Sequence, residues 1–172
     1  MGEVMSRQRG FSLIELLIVV AIILILAAIA IPNFLRSKIA ANEATAVSSV
    51  RIITTAEVTY ASSWGAGYSP DLASLGGAPP CAAALASACL IDPVLSVAPF
   101  SKSGYAFAAQ GNTPASGSFA GFEVNATPMM VDVTGKRAFC SDQTGLIRFN
   151  VTGAPIGTGA GNCAAAVQLI GN

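Results

Sequence analysis

The sequence predicts an α+β fold in which a long N-terminal hydrophobic helix packs on a small antiparallel β-sheet. An uncharged apolar stretch runs from Leu16 to Leu35, and apolar residues at helical spacing continue to Tyr60. After Gly65 the chain becomes rich in Gly, Ser, Ala and Pro, and its apolar residues alternate as they do in half-buried strands. At 172 residues the chain is long enough for one domain with its own core.

The composition argues against several classes of function. Nine basic and nine acidic residues cancel, so nothing in the charge favours a nucleic-acid partner. Histidine is absent, which removes the commonest general base and metal ligand, and with it any Ser-His-Asp or Cys-His constellation. There is also no P-loop and no GxGxxG after a strand. We therefore expect no enzymatic activity, no cofactor and no metal site.

The N-terminal apolar stretch has the length of a membrane-spanning helix. Leu16 to Ile31 is unbroken aliphatic sequence, and a bilayer-spanning helix needs about 20 apolar residues. Arg7 and Arg9 precede it, so the positive-inside rule keeps the N-terminus in the cytoplasm. Residues after Arg36 then lie outside, in a compartment that permits disulfides.

A secretory signal peptide and a simple signal anchor are the alternative interpretations of this start. Arg7 and Arg9 would form the basic region of a signal peptide, and Ala28–Ala30 would supply an A-x-A cleavage site. Glu15 argues against both, because a charge inside an apolar helix costs about 2.5–3.5 kcal/mol on insertion scales and usually has a partner.

The segment Arg7–Pro32, RQRGFSLIELLIVVAIILILAAIAIP, resembles the class III signal of type IV prepilins and type II secretion pseudopilins. The shared pattern is a short basic leader ending in Gly10, then Phe11, a hydroxyl residue, two aliphatics, Glu15 and a long apolar helix. The resemblance implies a pilin fold, cleavage between Gly10 and Phe11 by a prepilin peptidase, and N-methylation of Phe11 by the same enzyme. It implies a leader over 1–10, an anchor and filament-core helix over 11–64, and a globular β-rich domain over 65–172.

The resemblance also implies partners and a location. The precursor would stand in the inner membrane, engage an assembly platform there, and polymerise with copies of itself into an extracellular filament. Glu15 would pair with the new α-amino group of Phe11 on a neighbouring subunit, which fixes the axial register because an unpaired charge in an apolar bundle is expensive. A Glu15–Phe11 pair within one chain, one helical turn apart, is the alternative.

Pro32 interrupts the helical pattern, since it removes a backbone hydrogen bond and kinks or unwinds a helix. In pilin-like filaments the corresponding proline accompanies unwinding of the helix during packing. A simple kink in the helix at Pro32 is the alternative. Beyond it, one apolar stripe predicts a helix face, while Glu43, Ser49 and Glu57 fall largely elsewhere. The helix should end between Ser62 and Gly65. The stripe consists of Ile39, Ala46, Val50, Ile53 and Tyr60.

The C-terminal part predicts strands separated by turns. Thr134–Lys136 and Asp142–Gly145 have the composition of hairpin turns. The predicted strands are Gly104–Gln110, Phe119–Ala126, Met129–Val133, Arg137–Cys140 and Leu146–Val151.

Four cysteines form an even set, which indicates disulfides in an exported domain. Local spacing favours Cys81 with Cys89, and the pilin resemblance implies a C-terminal loop closed by Cys140 and Cys163. The other two pairings stay open, whereas a four-cysteine zinc site lacks any CxxC spacing.

The sequence therefore favours a structural subunit of a type IV pilus-like filament. A type II secretion pseudopilin is the alternative, although the major pseudopilin usually lacks cysteines. A membrane-anchored receptor domain is a more distant possibility.

We expect the mature chain to begin at Phe11, because the string Gly10 to Glu15 follows two arginines. Mass analysis of the N-terminal peptide from sheared filaments should find N-methylated Phe11. A terminus at Ile31 would instead indicate ordinary signal peptidase and would remove the basis for the pilin interpretation.

Overall fold

A computed structural model describes residues 10–115, 118–165 and 168–170. Within these residues the long helix α1 is followed by short helices and one antiparallel sheet, whose six strands lie in sequence order. The α+β architecture predicted from the sequence is confirmed. The elements are α1 Leu13–Trp64, α2 Leu72–Leu75, α3 Pro93–Ser96, β1 Ser101–Lys102, β2 Tyr105–Ala115, β3 Ser118–Pro128, β4 Ala138–Asp142, β5 Arg148–Asn150, α4 Asn162–Ala165 and β6 Gln168–Leu169.

The chain divides into two compact units, Met1–Ser37 and Lys38–Asn172. The described part of the first unit consists of residues 10–37, and the large apolar side chains of its helix are exposed. The second unit contains the rest of α1 together with the sheet, and all of the hydrophobic core lies in it. α1 ends at Trp64, inside the range that the SSWGAG sequence predicts.

The core of the second unit forms between one face of α1 and the sheet. Ala46, Val50, Ile53 and Tyr60 are buried, as the apolar stripe predicts, and Ile39 at its start is half-buried. Burial of each large apolar side chain contributes about 1.5–3 kcal/mol, which makes this face the main support of the fold. The sheet contributes Tyr105, Phe107, Ala109, Phe122, Val124, Ala126 and Phe139 to the same cluster.

Glu43, Ser49 and Glu57 were predicted to lie largely away from this face, and that prediction is wrong because all three are buried. The two carboxylates are tolerated because each accepts hydrogen bonds from distant parts of the chain. Glu57 accepts from the Ser69 backbone N–H at 2.8 Å and from its Oγ at 2.7 Å.

The predicted strand Met129–Val133 is also wrong, because these residues belong to the loop between β3 and β4. The Thr134 N–H donates to the Met130 carbonyl at 2.9 Å, and Asp132 has a φ of 63° that no strand adopts. The other four predicted strands correspond to β2, β3, β4 and β5, while the two-residue strands β1 and β6 are too short to show alternation. The turn predicted at Asp142–Gly145 leads from β4 toward β5, closed by Gly145 N–H on the Asp142 carbonyl at 2.9 Å.

Glu57 should make stability depend on pH. Burial raises its pKa to about 7, against the lowering effect of the hydrogen bonds from Ser69. A carboxyl group with a raised pKa stays protonated in the folded state while the unfolded chain has already ionised. Between pH 4.5 and 7 the contribution of Glu57 to the free energy of unfolding should therefore fall, with a limiting slope of about 1.4 kcal/mol per pH unit, and then level off.

Glu57→Gln should remove this contribution, because an amide keeps an acceptor for Ser69 without ionising. The measurement is denaturant unfolding of the full-length protein in detergent, followed by the fluorescence of Trp64, which lies 5.1 Å from the Tyr60 ring. The stability of the variant relative to the parent should rise across this pH window. Asp132→Asn, at an exposed carboxylate, serves as the control, and parallel pH profiles for Glu57→Gln and parent would contradict the prediction.

Candidate functional site

The predicted cleavage site is exposed in the structure. Gly10, Phe11 and Ser12 precede α1, have no regular secondary structure and are exposed. No atom lies within 4 Å of a Cβ placed on Gly10. A protease that needs an extended backbone can therefore approach the Gly10–Phe11 bond. The rest of the predicted leader, residues 1–9, lies outside the described residues and includes the predicted basic region at Arg7 and Arg9.

Glu15 has a local partner that the sequence analysis missed. Its Oε2 accepts a hydrogen bond from the Ser12 backbone N–H at 2.9 Å, just where α1 begins. Ser12-x-x-Glu15 is the sequence pattern of a capping box, in which the acidic residue satisfies a donor at the helix N-terminus. The sequence contains this pattern, whereas the two predicted roles of Glu15 were a pair with Phe11 of a neighbouring subunit and a pair with Phe11 of the same chain. The structure brings Glu15 to Ser12, and the predicted pair with Phe11 stays a prediction.

The helix surface that follows Glu15 is apolar on all sides. Its most apolar 18-residue window has a mean hydropathy of 3.3, and none of that window is buried. By length and composition it can cross a membrane, and among the described residues α1 is the one helix that meets both criteria. Such a surface needs either lipid or other protein around it.

Pro32 lies inside α1, and the assigned helix continues through it. Because proline has no backbone N–H, the carbonyl of Ala28 lacks its usual partner one turn later. This position is therefore a weak point of the helix ladder. Filament unwinding and a simple kink both stay predictions for it.

The two cysteine pairs expected from the sequence are joined in the structure. Cys81 and Cys89 have Cα atoms 6.0 Å apart and close an exposed loop after α2. Cys140 in β4 and Cys163 in α4 have Cα atoms 5.7 Å apart, and both side chains are fully buried. The second bridge holds α4 against the sheet, next to Glu123, whose Oε1 accepts from the Cys163 N–H at 3.2 Å.

The loop between β3 and β4 is fastened to α1 by contacts that sequence reasoning missed. Glu43 Oε2 accepts from Arg137 Nε at 2.9 Å and Nη2 at 2.6 Å, while its Oε1 accepts from the Lys136 backbone N–H at 2.9 Å. Burial opposes ionisation of Glu43, but these hydrogen bonds and the Arg137 charge outweigh it and lower its pKa. One turn of the loop is also held by Asn42, whose Nδ2 donates to the Thr134 carbonyl at 2.8 Å.

Potential metal ligands are not clustered in the part of the chain that the structure describes, where no group contains three Asp, Glu or Cys side chains. Asp142 is already engaged, because Arg148 Nη1 donates to its Oδ2 at 2.9 Å and the Thr144 N–H donates to its Oδ1.

Comparison with known proteins points to the same N-terminal segment. The model of the prokaryotic N-terminal methylation motif matches residues 5–31. The type IV major pilin protein PilA of Myxococcus xanthus is 50% identical over 54 residues, which cover 31% of this chain and 24% of that protein. The type IV wide pilus major component PilA4 of Thermus thermophilus is 59% identical over 39 residues, or 23% and 30% of the two chains. The chain thus spans less than a third of each relative it matches, and no solved structure matches it.

The protein combines a long apolar helix with a small antiparallel sheet, and its residues 5–31 match the N-terminal methylation motif. Over the matched residues it is similar to the two type IV major pilins named above.

The cysteines are expected to be oxidised as Cys81–Cys89 and Cys140–Cys163. The buried bridge closes the longer loop and should contribute about 3 kcal/mol by restricting the unfolded chain. Peptide mapping of the purified protein without reductant should recover these two linked pairs. Either of the crossed pairings would contradict the predicted connectivity, and four free thiols would contradict the inferred oxidising compartment as well.

Proposed function

We propose that this chain is the structural subunit of an extracellular type IV pilus-like filament. In this proposal residues 1–10 are a leader, 11–64 form the anchor and filament-core helix, and 65–172 form the globular β-rich domain. The observation that carries the proposal is Glu15, a carboxylate at the start of an exposed apolar helix and five residues after an accessible Gly10. The named relatives, both major components of type IV pili, support it and favour a pilus over a secretion pseudopilin.

Processing would come first in the life of the subunit. A prepilin peptidase would cut after Gly10 and methylate the new α-amino group of Phe11, while the apolar helix holds the precursor in the inner membrane. An assembly platform in that membrane would then extract the subunit into the growing filament. The exposed Gly10–Phe11 bond and the match to the methylation motif support this order.

Assembly would be driven by covering the apolar helix and directed by one charge pair. The apolar surface of residues 13–35 can leave lipid without meeting water if other copies of the same helix surround it. Glu15 would then pair with the amine of Phe11 on a neighbouring copy. Since breaking a buried charge pair costs about 3–5 kcal/mol, subunits out of register would be strongly disfavoured.

We propose a structural role without enzymatic activity. The absence of histidine supports it, as does the engagement of the buried carboxylates Glu43 and Asp142 in ion pairs that stabilise the fold.

Two substitutions at Glu15 separate its local role from its proposed role in assembly. Glu15→Gln keeps an oxygen that can accept the Ser12 N–H, whereas Glu15→Ala removes both that acceptor and the charge. We expect both variants to reach the membrane and to lose their leader, and both to yield few or no filaments when they are the sole subunit. The measurements are leader removal, membrane content and sheared surface filaments, each scored separately.

The matched control is Ser12→Ala, which leaves the charge and the backbone N–H in place and should assemble. Normal filaments from Glu15→Gln would show that helix capping, and not the charge, is what Glu15 supplies. Loss of membrane insertion in either variant would place its role before assembly.

A further inference from the structure

The loop between β3 and β4 exposes a run of apolar side chains. Met129, Met130, Val131 and Val133 are each between 45% and 61% exposed, and these residues with Asp132 are called the loop tip. Among the described side chains of the second unit, no other stretch of five residues exposes more than two large apolar groups. Contiguous exposed apolar surface of this kind usually marks an interaction site.

The loop tip is held in one conformation. The Asp132 N–H donates to the Gly135 carbonyl at 2.9 Å, and the Thr134 hydroxyl donates to the Met130 carbonyl at 3.0 Å. The loop is also fastened to α1 through Asn42 and through the Glu43–Arg137 ion pair. The apolar side chains are therefore presented by a preorganised surface, which lowers the entropic cost of a specific contact.

The same chain carries a complementary surface on α1. Phe34 and Leu35 are 69% and 53% exposed, and the basic residues Arg36 and Lys38 follow them with exposed side chains. The loop tip is likewise apolar but has an acidic residue, Asp132, whose side chain is 73% exposed. Its nearest cation, Lys136 at 4.0 Å, is also exposed, and such a surface pair is easily exchanged for another.

We propose that the loop tip of one copy packs on residues 34–38 of a neighbouring copy, with Asp132 paired to Arg36 or Lys38. This inference rests on the proposed filament function. It joins two different surfaces of identical chains, and such a heterologous contact propagates into a helical polymer. The proposed contact is separate from the Glu15–Phe11 pair. It would determine how neighbouring subunits pack side by side, whereas the Glu15–Phe11 pair would fix their axial register.

A second copy fits the loop tip better than a lipid surface does. Asp132 sits in the middle of the apolar run, and an acidic side chain is among the most unfavourable groups to place in a bilayer. A protein partner can meet the apolar groups and the charge together. The fixed conformation of the loop also favours a protein partner of complementary shape, because binding to a fluid lipid surface does not require a fixed conformation.

Charge reversal tests the pairing in the full-length chain. Asp132→Lys alone should lower the yield of sheared filaments by at least about tenfold, and so should reversal of the cation that pairs with it, Arg36→Asp or Lys38→Asp. Combining Asp132→Lys with the correct partner change in one chain should restore the yield. Any backbone strain at the positive φ of residue 132 is common to the single and combined variants and cancels.

Co-expression of the two single variants distinguishes a contact between copies from a contact within one chain. Each chain then offers the surface that the other needs, so mixed filaments should form although neither variant forms them alone. Rescue only when both changes share one chain would place the pair inside a subunit and overturn the inference. Failure of both partner changes to rescue would also overturn it.

Removal of the apolar part gives an independent test. Met130→Ser with Val133→Ser should reduce filaments, whereas Val94→Ser with Val97→Ser, at exposed apolar residues elsewhere, should not. Leader removal, membrane content and disulfide mapping should match the parent in both. Normal filaments from the first pair would overturn the inference and leave the proposed function standing, because the parent and Glu15 variants test that separately. Lower membrane content of the precursor would identify lipid as the partner and overturn it as well.

Discussion

One helix has to satisfy two different surroundings, and the character of the rest of the chain follows from that constraint. Between Glu15 and Leu35, α1 is apolar on every side, and none of its large side chains is buried within the subunit. Beyond Lys38 the same helix buries one face against the sheet and exposes the other. The second half alone would define an ordinary α+β domain. The first half makes that domain dependent on a membrane or on other copies, because about 20 apolar residues cannot remain in water.

The sequence predicted those features that depend on periodicity and composition. Ala46, Val50, Ile53 and Tyr60 could be placed in the core because their spacing follows the helix repeat. The burial of Glu43 and Glu57 could not be predicted in this way, because helical periodicity places charged residues on the exposed face. Their hydrogen-bond partners, Arg137 and Ser69, are distant from them in sequence. A buried acid is recognised only once its donors are known.

The loop tip and the helix start show two further limits of sequence reasoning. Val131 and Val133 alternate about Asp132 as in a strand, but strand propensity records a fit to a pleated surface and cannot tell whether a neighbouring strand is present. At Ser12 and Glu15 the information was present, since a capping box is a local pattern. Both predicted partners of Glu15 were the charged amine of Phe11, whereas the observed partner is the neutral backbone N–H of Ser12. The hydrogen bond to Ser12 shows that Glu15 has a local role, and the proposed intermolecular pair would use the same carboxylate.

The bridge between Cys140 and Cys163 has a mechanical consequence for the proposed filament subunit. Tension on a filament acts on each of its subunits. A subunit that unfolds under tension lengthens in proportion to the number of residues that become extended. The bridge joins two points 23 residues apart in sequence through a covalent link across 5.7 Å between their Cα atoms. The bridged segment would be roughly 80 Å long if fully extended. Because of the bridge it cannot extend under tension, even if the hydrogen bonds of β4, β5 and α4 break.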